Sequence, residues 1–331
     1  MRVDPDKLSQ QLVRSLRGEQ TQSAASKSLG FGSNVIYAWE TGRRAPELSR
    51  LIRLAELSDS SIHRRLRAFF KSPAARLRSA RLSTPRGVQF FIEELIGNSV
   101  RSEVAEKAGV DRTTLTRWLQ GKTEPRVPEV LKLVDICTQR VLPFVECFSD
   151  PAQLEETRDA WNDLRAQAKL AYDFPWSHAL LRALELDSYR TACTHDPEIL
   201  ARSLCLSPEK VTHYLSELEK AGQIVWRKTH YEAARILTVD TREDPEKDRA
   251  LKAHWAKVSL NRLETGRPHP EAYFSYNLFA ISEANFEKVR QLHLEYYNAV
   301  RSLVDTSETA DRVVVMNAHL VPLGETQRDE D

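Results

Sequence analysis

The stretch Trp39-Glu40-Thr41-Gly42-Arg43-Arg44-Ala45-Pro46 returns 79 residues later as Trp118-Leu119-Gln120-Gly121-Lys122-Thr123-Glu124-Pro125. Trp, Gly and Pro keep their places in both. Upstream, Gly30 and Gly109 stand at the same offset, as do Ala25 and Val104, and Ile36 and Leu115. Chance rarely aligns Gly, Trp, Gly and Pro at one spacing. A period this long marks a duplicated domain and not a solenoid.

The first copy reads helix, tight turn, helix, loop, helix over Gln20–Leu54. Thr21–Leu29 is short and rich in Ala and Ser, which suits a helix packed closely on a neighbour. Gly30 follows, where a helix ending in a left-handed residue wants glycine. Ser33 or Asn34 then caps the next helix. Val35, Ile36 and Trp39 form its inner face and leave Ser33, Asn34, Tyr37 and Ala38 outward. Gly42 ends it, Arg43 and Arg44 follow, and Pro46 stops continuation. Leu48, Leu51, Ile52 and Leu54 recur at helical spacing and mark another packed helix.

Both copies resemble the Cro and phage-repressor type helix-turn-helix, the XRE family. The resemblance rests on Thr21-Gln22-Ser23-Ala24-Ala25 with the Trp39–Pro46 stretch, and on Val104-Ala105-Glu106-Lys107-Ala108-Gly109-Val110 with Trp118–Pro125. Together the copies cover roughly the first 145 residues. The resemblance implies a second helix lying in the major groove with its first turn at base edges. Carried over by position, Ser33, Asn34, Tyr37 and Ala38 read bases in the first copy, with Asn34 suited to adenine. Gln22 matches a phosphate-contacting glutamine, and Arg43 and Arg44 clamp phosphate beyond the helix. In the second copy the reading face is Arg112, Thr113, Thr116 and Arg117, and either arginine suits guanine. Arg101 stands in place of Gln22, and Lys122 and Arg126 in place of the later clamp. Ala38 sits where a long polar reader is common, and Leu119 stands where the first copy has Glu40. Either both copies grip DNA or one has become a packing module.

Charge leaves two readings for the front, a face that meets a polyanion or a solvated basic face. Residues 1–90 hold 17 Lys and Arg against 7 Asp and Glu, although the whole chain carries only +1. The segment 91–150 is slightly acidic, with 8 basic against 10 acidic residues. Between the copies, Ser58–Gly87 carries His63, Arg64, Arg65, Arg67, Lys71, Arg76, Arg78, Arg81 and Arg86 along an apolar stripe of Ile62, Leu66, Phe69 and Phe70. That segment either contacts phosphate or is a solvated face.

Other classes find little support. The 41% hydrophobic and 29% charged composition is that of a globular chain. No apolar run approaches the roughly 20 residues that span a bilayer, and polar Met1–Gln10 is no signal peptide. Cys137, Cys147, Cys193 and Cys205 form no C-x-x-C pair, so neither a disulfide framework nor a zinc site is indicated. Phosphate-loop, dinucleotide, zincin and nucleophile-elbow motifs are all missing. Glu93 and Glu94 are adjacent on a helix and point apart. Cys193 with His195 is too small a set for a metal, and His254 and His293 default to structural roles. Neither an enzyme nor a cofactor is expected.

In the rear, Ser149-Asp150-Pro151 breaks the chain. Leu154, Trp161 and Ala168 then repeat at seven, which reads as a helix packed on a neighbouring domain in preference to a short coiled-coil seam. Helices are expected at Trp176–Leu186, from Asp196-Pro197 through Leu204, and from Ser207-Pro208 through Ala221, with Gly222 as cap. Strands are expected at Ile224–Trp226 and Ile236–Val239. That order makes a winged helix, whose Glu209, Lys210, His213, Glu217 and Lys220 face is mixed in charge and suits scaffolding or dimer contacts better than phosphate. A charged helix over Asp244–Glu264 precedes a loop at Gly266–Pro270. A strand at Tyr273–Ile281, a helix from Ser282 through Val304 and a strand at Arg312–Val321 close the domain. The Ser282–Phe286 helix start and the Val313–Pro322 strand give Asp159–Leu323 a resemblance to a C-terminal domain of unknown function found on a group of bacterial regulators.

The expected architecture is mainly α. Helix-turn-helix domains of a five-helix type occupy 1–70 and 87–150, separated by a basic linker or helix at 71–86. A linker helix at 151–175, a winged helix at 176–242, an α+β domain at 243–323 and a disordered tail at 324–331 follow. The implied function is a bacterial, cytoplasmic, nucleoid-associated transcription regulator. Its expected partners are an operator in double-stranded DNA, a second copy of the chain, and RNA polymerase or another regulator, with no membrane. The rival function is an adaptor that acts through a protein partner and binds DNA weakly.

Overall fold

The computed structural model describes residues 3–70, 73–97, 99–234, 244–265 and 270–324. Two compact units divide the chain, Met1–Arg165 and Ala166–Asp331. The fold is mainly helical, and the one sheet among the described residues has two strands.

The first unit opens with α1 (Pro5–Arg17), capped by Asp4, whose carboxylate accepts from the N–H groups of Asp6 and Lys7. Then come α2 (Gln22–Ser28), α3 (Val35–Glu40), α4 (Leu48–Glu56), α5 (Ile62–Ala68) and a short α6 (Ala75–Ser79). The next five are α7 (Pro85–Ile96), α8 (Arg101–Ala108), α9 (Arg112–Leu119), α10 (Val127–Thr138) and α11 (Val141–Glu146). In order, α7 to α11 repeat α1 to α5 at the 79-residue offset. The repeated glycines have a backbone reason. Gly30 and Gly109 stop α2 and α8 at φ 83° and 66°, a conformation costly for any side chain. Helices α1 and α7 were not read individually from the sequence.

One continuous core fills this unit. It takes Leu8 and Leu12 from α1, Ile36 from α3, Leu51 and Ile52 from α4, and their counterparts from the second helix set, such as Leu115 and Val130. Each such side chain, fully buried, stabilises the fold by about 2 kcal/mol. Phe69, Phe91 and Phe144 meet with ring centroids 5.7–6.5 Å apart, so residues on either side of the basic linker share one aromatic cluster. The expected break at Asp150 is a capped 3-10 turn over Pro151–Gln153, after which α12 (Arg158–Asp173) carries the chain onward.

The second unit has α13 (Trp176–Ala183), α14 (Asp187–Arg190), α15 (Pro197–Leu204) and α16 (Pro208–Lys220), then a hairpin of β1 (Ile224–Arg227) and β2 (His230–Ala233). Asp196 and Ser207 cap α15 and α16 through their side chains, as their Asp-Pro and Ser-Pro sequences imply. The core gathers Leu180, Tyr189, Leu200, Val211, Leu215, Leu218 and Ile224. The expected helix over Trp176–Leu186 ends at Ala183, and α14 is an addition. The partner of β1 lies earlier than expected: Lys228, at φ 54°, turns the chain tightly, so Trp226 pairs with Tyr231. Ile236–Val239, read as the second strand, lies outside the described residues, as do Gly266–His269, Lys71 and the tail beyond Gly324.

Two long helices follow, α17 (Pro245–Glu264) and α18 (Glu283–Asp305), capped by Asp244 and Ser282. Tyr273–Ile281 and Arg312–Val321 form no strand, contrary to their aromatic and Val-rich reading. Neither has a ladder partner, and Tyr273 and Tyr276 are 87% and 91% exposed. Composition favours a pleated, half-buried surface only where such a surface exists.

Candidate nucleic-acid interface

Helix α3 presents one outer face. Ser33 and Asn34 lead into it, Asn34 being the cap, and Tyr37 and Ala38 lie one turn on. Ser33, Asn34 and Tyr37 are exposed, and Ala38 is half-buried. The inner face holds Ile36 and Trp39, with Phe31 set edge-on against Trp39 at 5.9 Å. The cap has a chemical consequence. The Asn34 side-chain oxygen accepts from the Tyr37 N–H at 3.1 Å, while the Ser26 hydroxyl, 3.3 Å away, gives its one proton to the nearer Gln22 carbonyl at 2.7 Å. One lone pair of the oxygen is thus spent on the cap, and the side-chain NH2 stays available as a donor. Bidentate pairing with adenine needs the oxygen as well. The oxygen retains one lone pair beyond the cap, so both a single NH2 donation and the bidentate pair are open to Asn34.

Beyond α3, Gly42 turns the chain at φ 73° and exposed Arg43 and Arg44 follow. The Arg43 guanidinium lies 5.1 Å from the Tyr37 ring centre, a cation–π contact that holds the charge beside the outer face. The Arg44 N–H bonds the Ala38 carbonyl at 3.1 Å, which fixes the turn.

Helix α9 repeats this geometry. Arg112 and Thr113 occupy its first turn with Thr116 and Arg117 one turn later. Arg112, Thr113 and Arg117 are exposed, while the half-buried Thr116 donates its hydroxyl to the Arg112 carbonyl at 2.8 Å. Exposed Lys122 follows Gly121, with its N–H on the Arg117 carbonyl at 2.9 Å. Arg101 is exposed at the first residue of α8. Each set thus gathers its outer-face residues, Ser33 to Arg44 around α3 and Arg112 to Lys122 around α9.

What lies beneath the two faces differs in a coupled way. Glu40, 5% exposed, receives the Arg17 guanidinium at 2.5 Å and the Gln22 amide at 2.6 Å. Gln22 therefore spends one amide donor inside the protein. At the 79-residue offset, Arg17 becomes Ile96, Glu40 becomes Leu119 and Gln22 becomes Arg101. The ion pair is replaced as a unit by an apolar pair. Gln10 and Gln89 are also offset partners, and each side chain lies over the glycine after its outer helix. A Cβ on Gly42 would stand 2.7 Å from Gln10, and one on Gly121 would stand 2.5 Å from Gln89. These supporting residues were missed from the sequence, although the Gln10–Gln89 identity was a readable signal.

The two helix sets also touch through a reciprocal contact. The Val127 N–H donates to the Pro46 carbonyl at 2.9 Å, and the Leu48 N–H to the Pro125 carbonyl at 3.3 Å. Between them Glu47 and Arg126 pair as an antiparallel bridge. Helix α1 packs on α10 and α7 on α4, while α4 and α10 pack on each other. The Glu124 carboxyl lies in this contact. Burial pushes its pKa up, and Glu47 adds to that, against hydrogen bonds from Ser49 and the charge of Arg50.

The fold pairs part of the basic segment with carboxylates. Arg65 meets Asp59 at 2.8 Å, Arg76 meets Glu93 at 2.9 Å, and Arg81 and His63 both meet Glu56. Arg67 donates to the Ala80 carbonyl at 2.7 Å. Arg64, Arg78 and Arg86 remain exposed. Glu93 and Glu94 have separate tasks, Glu94 accepting the Ala74 N–H at 3.2 Å. His195 bonds the Tyr189 hydroxyl at 2.8 Å, and no group of three His, Cys, Asp or Glu among the described residues is placed to hold a metal. Burial pushes the Cys137 and Cys147 thiols up to about 12, which keeps them protonated and inert. No helix among the described residues is long and apolar enough to cross a membrane.

Two families match the chain. One, described as Helix-turn-helix, covers residues 97–137, the stretch that holds α8 and α9. The other, described as Domain of unknown function (DUF4423), covers residues 156–323, just over half of the chain. No curated protein and no solved structure matches it.

Proposed function

The chain belongs to the DUF4423 family, and from that premise, with a helix-turn-helix in front, we propose that it is a sequence-specific regulator of transcription acting on double-stranded DNA. The observation that carries this reading is the placement of the helix-turn-helix match on α8 and α9, whose outer face carries Arg112, Thr113 and Arg117. Exposed arginines on the first turns of a second helix are suited to guanine edges in the major groove. The α2–α3 pair is the second copy of the same device. Its support is the shared offset, the left-handed glycines, the buried Trp39 and Trp118, and Arg43 and Arg44 standing where Lys122 stands.

In this reading Arg43, Arg44, Arg101 and Lys122 hold phosphates, while Ser33, Asn34, Tyr37, Ala38, Arg112, Thr113, Thr116 and Arg117 face bases. Gln22 supports the face through Glu40 and retains its second amide donor for phosphate. The rear is the associating or sensing part. The α13, α15 and α16 helices with their hairpin serve as a winged-helix scaffold, and exposed Tyr273, Tyr276, Leu278 and Phe279 offer a surface for a second chain or a regulatory partner such as RNA polymerase. Action on operators places the protein in the cytoplasm, at the nucleoid.

Enrichment of bound sequences from a random duplex pool, at near-physiological salt, tests the reading. The wild-type chain should enrich a defined motif, and Arg112→Ala/Arg117→Ala should relax part of it at about 1–3 kcal/mol per lost base contact. Enrichment of nothing, with binding that vanishes at modest salt, would reject the regulator and leave an adaptor that works through a protein partner.

A further inference from the structure

The contact between the helix sets maps onto itself under the repeat. Pro46 and Pro125 are offset partners, as are Leu48 and Val127, and Glu47 and Arg126. Val127 bonds Pro46 while Leu48 bonds Pro125, and α1 meets α10 while α7 meets α4. Residue i touching j while the counterpart of j touches the counterpart of i is the mark of an isologous, two-fold interface. Such interfaces ordinarily join two chains. Here both halves lie in one chain and share one core. The operation that exchanges the sets also carries α3 onto α9, so the two outer faces are equivalent under it.

The geometry points to an internal pseudo-dimer: a single chain occupies a complete two-part operator, α3 on one half and α9 on the other, without a second chain. This rests on the proposal that both helix sets read DNA. Operator dyads mirror protein two-folds, with half-sites about one helical turn apart. The internal two-fold therefore sets a half-site spacing but not a sequence palindrome. Ser33, Asn34, Tyr37 and Ala38 on one end differ from Arg112, Thr113, Thr116 and Arg117 on the other, so the two halves differ in sequence. The arginine end favours guanine. A homodimer formed by the rear then serves to bring two operators together, and does not complete one.

The test uses the full chain and the duplex it enriches. Native mass spectrometry should find one chain per duplex. Inserting about 5 base pairs, half a helical turn, between the two halves should weaken binding by about 100-fold, because the second contact then loses its intramolecular advantage. Two chains per duplex, each using the same end on identical half-sites, would overturn the pseudo-dimer and leave the regulator intact. Failure to enrich any sequence overturns both. A covalent lock checks that the contact persists on DNA. Glu47 and Arg126 oppose each other between the flanking bonds, where Cα atoms lie about 4.5 Å apart, within disulfide range. Glu47→Cys/Arg126→Cys, in a Cys193→Ser/Cys205→Ser background, should close within one chain and bind the operator within about twofold of its reduced form. A tenfold loss on closure would show that DNA needs the sets apart, against the proposal.

Discussion

Asn34 shows why a residue's role cannot be taken from its outward position alone. Its oxygen closes the first turn of α3, and its NH2 group is the donor proposed to meet DNA. Serine is an equally good cap that lacks that donor. Asn34→Ser should keep urea stability within about 0.5 kcal/mol, whereas Asn34→Ala should lose about 1 kcal/mol. Both should lose the same DNA discrimination, and equal DNA binding by wild type and Asn34→Ser would remove Asn34 from the reading face. The Arg17–Glu40 pair makes a second case. Removing one partner strands a buried charge, so Glu40→Leu alone should cost about 3 kcal/mol. The second helix set already holds Ile96 and Leu119 at these places. Arg17→Ile/Glu40→Leu should therefore recover most of the loss in a urea double-mutant cycle, and simple additivity would contradict the coupling.

Elements were legible where local chemistry sets them. Trp39 and Trp118, the left-handed glycines, and the Asp196-Pro197 and Ser207-Pro208 caps marked their helices directly. The reciprocal contact was not legible, because it is made by backbone groups of Pro46, Leu48, Pro125 and Val127, and backbone hydrogen bonds carry no side-chain signature. The β2 position was missed because Lys228 adopts the left-handed turn without the Gly or Asn that announces one. Tyr273–Ile281 was misread because composition does not supply a partner strand. Two predictions belong at this scale. Gly87 lies in α7 where a Cβ would stand 2.1 Å from the Arg81 carbonyl oxygen, so Gly87→Ala should destabilise the first unit by about 1–3 kcal/mol in urea. Glu124 lies in the contact between the sets, where burial raises its pKa above the ordinary value of 4.5. The folded chain then holds its proton more tightly than the unfolded one, so this group's effect is most favourable below the unfolded value and worsens as pH rises through the folded one. Glu124→Gln should accordingly raise the thermal midpoint at neutral pH, with the gain disappearing as pH falls below about 4.5. A gain constant across pH would place the carboxyl elsewhere.

For the whole molecule, the uneven charge is part of the mechanism. In the proposed reading the basic front meets phosphate, yet three of the seven arginines between the helix sets, Arg65, Arg81 and Arg76, are paired with Asp59, Glu56 and Glu93. Fewer cations thus remain for DNA than the sequence count of 17 in residues 1–90 suggests. Non-specific binding should be correspondingly weak, with a shallower salt dependence, and the proposed reading assigns specificity to the outer faces of α3 and α9. The most direct test is the ratio of affinities for the enriched duplex and for a scrambled duplex of equal length, at near-physiological salt. A reader of bases should favour the enriched duplex by about 1,000-fold or more. A ratio near one would show that the helices meet only the phosphate backbone, and would contradict the account at its centre.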